Sequence, residues 1–271
     1  MLFTRRQLLT GIGGGALAVG GLTLGQRSPR FSTYTYAAPD DDTDDGRLRV
    51  AWYETYNGAL VGSTSGDGSE TDPDAVLDPG QPPGYVAEAT FVTDVSGPVV
   101  SVGNVLPGDT GRLVVGLEVV DTEPSEPLDV WVAGSVTDAN ERGINEPERM
   151  DGDTTPDRGE LSDDAVVEIW LDGSPLRGCN GVKNFEESLE SPLVARSSFA
   201  DAFAPTTGIG GVDGVLALDC LAPGSLRCVA LQWELPPTVG NRSQGDTLGF
   251  EFAFSGGPCG GDSPFGVGGS E

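Results

Sequence analysis

Leu248, Phe250, Phe252 and Phe254 lie two residues apart in the segment Thr247-Leu248-Gly249-Phe250-Glu251-Phe252-Ala253-Phe254. That period puts all four side chains on one face of an extended strand, whereas a helix would scatter them around its axis. Near the other end, Leu48, Val50 and Trp52 alternate with Arg49, Ala51 and Tyr53. Further strand-like runs occupy 85–91, 99–102, 112–120, 128–136, 165–171 and 228–235, each bounded by Gly, Pro, Asp or Asn. Pro236-Pro237 closes the run at 228–235. Residues 57–84, rich in Gly, Ser, Asp and Pro, read as a long surface loop. Only one stretch reads as helical. Ser191 is its N-cap, Pro192 lies in its first turn, Phe199 and Phe203 share a face, and Pro205 and Gly208 stop it. The expectation is an all-β chain of about eight strands: a two-sheet, jelly-roll-like sandwich with long acidic loops and one short inserted helix.

Charge narrows what such a sandwich can do. The 271 residues include 42 acidic and 15 basic side chains, for a net charge of −27, and no histidine. Without histidine there is no Ser–His–Asp triad, no Cys–His dyad and no His-ligated zinc, so no enzyme is expected. Nucleic acid and anionic lipid repel a surface of this sign, so neither is expected as a partner. The 37 % hydrophobic content, gathered in strand-like runs, argues against a disordered chain. Lys183 is the only lysine. An acidic, lysine-poor folded domain is similar to proteins of salt-loving archaea, in which high salt screens self-repulsion.

The first 25 residues read as an export signal. Thr4-Arg5-Arg6-Gln7-Leu8-Leu9-Thr10 fits a twin-arginine pattern, followed by an uncharged, glycine-rich run from Gly11 to Gly25. That run is short for a membrane span, which needs about 20 apolar residues. An uncleaved anchor is the alternative, and no other segment is expected to span a membrane. Residues 26–45 form a flexible acidic lead in which Phe31, Tyr34 and Tyr36 belong to a strand-like segment ahead of Asp40-Asp41-Asp42-Thr43-Asp44-Asp45. Residues 46–260 are expected to be one β-sandwich domain, and 261–271 a glycine-rich tail.

In an exported chain, four cysteines suggest two disulfides. Of the three connectivities, Cys220–Cys228 with Cys179–Cys259 is favoured, because Ala222-Pro223-Gly224 makes a turn between the first two. Asp109-Thr110-Gly111 has the short motif of aspartic proteases but no second copy, so it reads as a turn between strands. Residues 145–164 are dense in carboxylates. Asp151, Asp153, Asp157 and Glu160 stand as candidate calcium ligands, although the spacing breaks the twelve-residue calcium-loop pattern. A solvated acidic loop is the other reading. No cofactor is required, and calcium is the one candidate ion. Asn241-Arg242-Ser243 is a glycosylation sequon at Asn241.

Several segments together carry a family resemblance. They are Gly46-Arg47-Leu48-Arg49-Val50-Ala51-Trp52 with Tyr56-Asn57-Gly58, Val102-Gly103-Asn104-Val105-Leu106-Pro107-Gly108-Asp109 and Gly159-Glu160-Leu161. With them go Cys228-Val229-Ala230-Leu231-Gln232-Trp233-Glu234-Leu235-Pro236, the closing strand from Gly245 to Phe254, and Cys259. Over most of residues 46–259 the chain resembles a haloarchaeal member of the TasA/camelysin family. The Pro107-Gly108-Asp109 turn and the closing strand are the most specific parts. The family's usual Phe-Ser-Asp-Thr-Glu start is kept only in part, as Phe31-Ser32-Thr33, and no basic tail follows Cys259.

The resemblance implies a secreted jelly-roll subunit, extracellular or on the cell surface, that self-assembles into matrix fibres or pili. In that family, a strand of one subunit can complete the sheet of the next, a role that would fall here to Phe31, Tyr34 and Tyr36. Relatives have been labelled metallo-endopeptidases, a reading that the absence of histidine disfavours. A cation-binding surface module that does not polymerise is a further alternative. From the charge, the fold is expected to need salt. Dialysis to ~10 mM salt, where the Debye length is about 30 Å, should abolish the near-UV CD spectrum. An unchanged spectrum would show that self-repulsion does not govern the fold.

Overall fold

The computed structural model describes residues 48–63, 99–103, 105–119, 126–173, 179–206, 208–211 and 213–265. Ten strands are found among them: β1 Leu48–Tyr56, β2 Ala59–Ser63, β3 Val99–Gly103, β4 Thr110–Val119, β5 Leu128–Asn140, β6 Val166–Leu171, β7 Val194–Ser198, β8 Val215–Leu221, β9 Leu226–Glu234 and β10 Thr247–Pro258. Three short helices accompany them: α1 Glu146–Met150, α2 Leu161–Asp164 and α3 Phe199–Ala202. All pairings are antiparallel. They build a six-stranded sheet ordered β2-β1-β4-β9-β6-β7 and a four-stranded sheet ordered β3-β10-β5-β8. The fold is thus an all-β sandwich, as the alternating runs predict.

One core fills the space between the sheets. Trp52, Leu113, Val115, Leu117, Ile169, Leu231 and Trp233 come from the larger sheet and meet Val130, Val132, Leu248, Phe250, Phe252 and Phe254 from the smaller. The four period-two residues of β10 are all buried there. Phe199 and Phe203 from α3 cover the same rings, with Phe199 4.9 Å from Phe250 and Phe203 edge-on to Phe252 at 5.6 Å. On β4, a Cβ at Gly111 would lie 2.3 Å from the Trp233 indole nitrogen, so only glycine lets that ring lie across the strand.

The outer face of the larger sheet carries a smaller apolar cluster of Tyr53, Val114, Trp170, Cys179, Cys228 and Ala230. The Tyr53 hydroxyl donates to the Cys179 carbonyl at 3.1 Å. Lys183 pairs with Glu168 at 2.6 Å and lies 6.0 Å from the centre of the Trp170 ring.

Three expectations need correction. The stretch from Ser191 is not helical at its start: β7 pairs there with β6, and only Phe199–Ala202 winds into a helix, capped by Ser198 through Asp201 N. The loop expected over 57–84 begins instead as a hairpin. Asn57 (φ 47°) and Gly58 (φ 80°) take the left-handed turn that joins twisted strands, and β2 folds back on β1. The disulfides are Cys179–Cys228 and Cys220–Cys259, not Cys220–Cys228 with Cys179–Cys259. The reason is topological. Ala222-Pro223-Gly224 does not close a hairpin but carries the chain from β8 in one sheet to β9 in the other. The strand expected at 85–91, the aromatic segment at 31–36, the signal and the final residues of the tail lie outside the described residues.

Among the described residues, no helix is long and apolar enough to cross a membrane. Phe250→Ala should lower the unfolding free energy by about 3–5 kcal/mol, since the ring is enclosed by other rings. Phe185→Ala, at a ring 79 % exposed, should stay within about 0.5 kcal/mol. Urea titration of both variants at constant salt checks the contrast.

Candidate metal centre and the buried acids around it

The register between β5 and β10 sets the site. Thr247 of β10 stands opposite Asn140 of β5, so the next residues outward, Asp246 and Glu141, leave the sheet side by side. Like charges so placed repel. Between these strands the chain makes an acidic excursion that returns carboxylates to the same spot. Asn145 caps α1, accepting from Glu148 N at 3.2 Å, and the Glu148 carboxylate accepts in turn from Asn145 N. That reciprocal cap turns the remaining Glu148 oxygen inward. Asn145 also donates to the Gln244 carbonyl at 2.5 Å, tying α1 to the segment that enters β10. Asp153 follows α1, and Glu160 immediately precedes α2.

Three of the five carboxylates share one arrangement, with one oxygen held by a backbone N–H and the other without such a donor. Asp153 Oδ1 accepts from Thr155 N at 2.8 Å, and the Thr155 hydroxyl, with one proton to give, lies between Asp153 Oδ1 at 2.7 Å and Glu160 Oε1. Asp246 Oδ2 accepts from Leu161 N at 3.0 Å. The opposite oxygens, Glu148 Oε1, Asp153 Oδ2, Glu160 Oε2 and Asp246 Oδ1, are buried and, like both oxygens of Glu141, meet no N–H or hydroxyl donor among the described residues, while Glu141 and Asp246 share a carboxyl–carboxylate hydrogen bond. Oxygens of Glu141, Glu148 and Asp246 lie within 4.8 Å of one another, as do those of Glu141, Asp153 and Glu160. Glycines make room for this convergence. A Cβ at Gly159 would press at 3.0 Å on the Asp246 carboxyl carbon, and one at Gly245 (φ +114°) would meet Glu148 Oε1 at 3.1 Å.

The electrostatic cost is visible in the acids themselves. Burial first, then a hydrogen bond with Asp246 and the charges of Asp246, Glu148 and Asp153, push Glu141 up to about 8. Burial also raises Glu148, Glu160 and Asp246, with neighbouring carboxylates adding to it. Asp153 goes the other way, held down by its bonds from Thr155. At an effective dielectric of about 20, two carboxylate charges within 4.8 Å repel by about 3–4 kcal/mol. The arrangement is an all-oxygen cage with a surplus of negative charge, which suits a hard cation.

Of the four acids expected as ligands, the structure brings Asp153 and Glu160 into this cage. Asp151 instead accepts from Asn241 N, and Asp157 is exposed. Glu141, Glu148 and Asp246 were not foreseen. A signal for Glu148 was present in Asn145-Glu146-Pro147-Glu148, whose Asn-x-x-Glu spacing is a capping box. Asp246 is distant in sequence and gave none.

The other sequence-derived sites have structural work. Asp109 accepts from the Tyr56 hydroxyl at 2.5 Å, Asn57 Nδ2 at 2.8 Å and Leu106 N at 2.8 Å. Gly108 N and Leu235 N complete the join by bonding Leu235 O and Asp109 O at 2.7 and 2.9 Å. The Pro107-Gly108-Asp109 turn therefore locks the ends of β1, β4 and β9 together. Asn241 is exposed, while Ser243 of the same sequon is buried and donates to Asp164, which also pairs with Arg242. Asp129 receives Cys220 N at 2.8 Å and Gly260 N at 2.7 Å, so one carboxylate braces both sides of the Cys220–Cys259 bridge. The chain matches no family model and no curated protein sequence.

Asp172 lies beneath the Cys179–Cys228 bridge, buried, with its backbone oxygen accepting from Cys179 N at 2.9 Å. Burial pushes it up to about 7, with the Glu187 charge adding to this and a hydrogen bond from Gly181 N opposing it. The folded state thus keeps a proton that the unfolded chain, with its ordinary value of 3.8, gives up. Its stabilising effect is complete below that lower value and fades as pH rises toward 7. Asp172→Asn should remove this component. The difference between the variant's and the parent's urea midpoints should grow in the variant's favour from pH about 4 to about 7. Parallel profiles would show that Asp172 titrates normally.

Proposed function

We propose that the chain is an exported, non-catalytic structural protein of the cell surface whose sandwich is a subunit of matrix fibres or pili. The observation that supports this most directly is the state of the sheet edges. Among the described residues, β7 pairs only with β6, and β8 only with β5. Unpaired backbone along such an edge is what a strand from another chain adds to. Two disulfides, each closing a loop that spans several elements, suit a subunit working outside the cell. The family resemblance adds the jelly-roll path, the twin-arginine export route and strand donation by the segment containing Phe31, Tyr34 and Tyr36.

The carboxylate cage favours a second reading, a cation-binding surface module that stays monomeric. Electron microscopy of the secreted protein in molar salt separates the two. Filaments are expected, and they should be lost on deletion of residues 31–38. Filaments that survive the deletion would move the contact to another donor segment, whereas monomers at every salt concentration would overturn assembly.

A further inference from the structure

We infer that the cluster of Glu141, Glu148, Asp153, Glu160 and Asp246, two oxygen triads that share Glu141, binds calcium, which fastens the acidic excursion 141–165 to the open end of the β5–β10 pair. The inference goes beyond assembly and holds whether or not the protein polymerises. Its basis is the pattern of satisfied and bare oxygens. Glu148 and Asp246 are 0 % exposed, yet Glu148 Oε1 and Asp246 Oδ1 meet no N–H or hydroxyl donor among the described residues. Buried carboxylate oxygens without donors are costly, and a native fold keeps them where something else supplies the positive charge. Three carboxylate oxygens meet in each triad, so water would complete calcium's usual six to eight ligands.

The donor set selects the ion. Every donor is a carboxylate oxygen, with no nitrogen or sulfur, which disfavours zinc and copper. Magnesium demands near-ideal octahedral geometry, whereas this cage offers both oxygens of Glu141. Five carboxylates also favour a divalent ion over sodium or potassium, since affinity follows ligand charge. The second oxygens of Glu148, Asp153 and Asp246 are already fixed by the backbone N–H groups of Asn145, Thr155 and Leu161, so these three acids are oriented before any ion arrives. Calcium would join residues from both ends of the excursion to Asp246 at the head of β10.

Calcium alone, titrated by calorimetry into the full secreted chain after chelator treatment, in molar potassium chloride, is the test. At least one equivalent should bind, and saturating calcium should raise Tm by about 5 °C or more, with a smaller shift from equal magnesium. Glu141→Gln should weaken binding about tenfold or more, and Asp246→Asn at least as much. Asp151→Asn and Asp157→Asn, which alter acids outside the cage, should leave binding unchanged. Absence of both heat and Tm shift in the parent chain would overturn the inference. So would binding that survives Glu141→Gln but is lost in Asp151→Asn or Asp157→Asn. If Asp246→Asn does not fold, the Glu141→Gln variant and the untreated parent chain still decide the matter, the latter through its calcium content after exhaustive dialysis against salt. Because each measurement reads ion binding or melting, its failure is independent of whether filaments form.

Discussion

The smaller sheet is organised by one antiparallel register, with Thr247 opposite Asn140 at one end and Pro258 opposite Leu128 at the other. Everything distinctive about the domain is fixed by that alignment. Along its length it buries Leu248, Phe250, Phe252 and Phe254 against the larger sheet. At one end it delivers Cys259 to Cys220, with Asp129 bracing the join. At the other it brings Asp246 beside Glu141 and so begins the carboxylate cage. A slip of one residue would turn the phenylalanines outward and dissolve both ends together.

The acidic character of the chain has two meanings, and composition alone exposes only one. Among the described residues, most acids are at least partly exposed, where water keeps them hydrated, and nine are buried: Glu54, Asp109, Asp129, Glu148, Asp153, Asp164, Asp172, Glu187 and Asp246. Their partners differ in kind. Asp109 and Asp129 gather hydrogen bonds from segments far apart in sequence, Asp164 pairs with Arg242, and Asp172 is pushed up to about 7 by burial and the neighbouring Glu187. Such interior carboxylates set register and hold loops in place, tasks for which a hydrophobic side chain has no donor-accepting atom.

The strands were legible wherever alternation is strong: β1, β4, β5, β6, β9 and β10 all follow from apolar periodicity. β8 was not, because Val215-Leu216-Ala217-Leu218-Asp219-Cys220-Leu221 is apolar on both faces at its start and bulges against β5. β7 was hidden by helix-forming cues at Ser191 and Pro192, which sheet pairing overrode. Asn57-Gly58 and the Asn145 cap were readable local signals that a broader impression of loop concealed. The cage was half legible. Asp153 and Glu160 fall in the visible acidic run, but Glu141 and Asp246 meet only through strand register. The disulfide partners likewise depend on which sheet each cysteine enters, a fact that spacing along the chain does not carry.

The two bridges overlap in sequence, Cys179–Cys228 spanning 49 residues and Cys220–Cys259 spanning 39. Under mechanical tension this matters more than either bridge alone. A pull applied beyond Cys259 passes through sulfur to Cys220, along the short link into β9 as far as Cys228, and through sulfur again to Cys179. Residues 180–219 and 229–258 are off that load path. β7, β8, β10 and most of β9 therefore cannot be drawn out as slack while the bridges hold. The domain can lengthen mainly from its amino-terminal side, which gives a tether of limited extensibility.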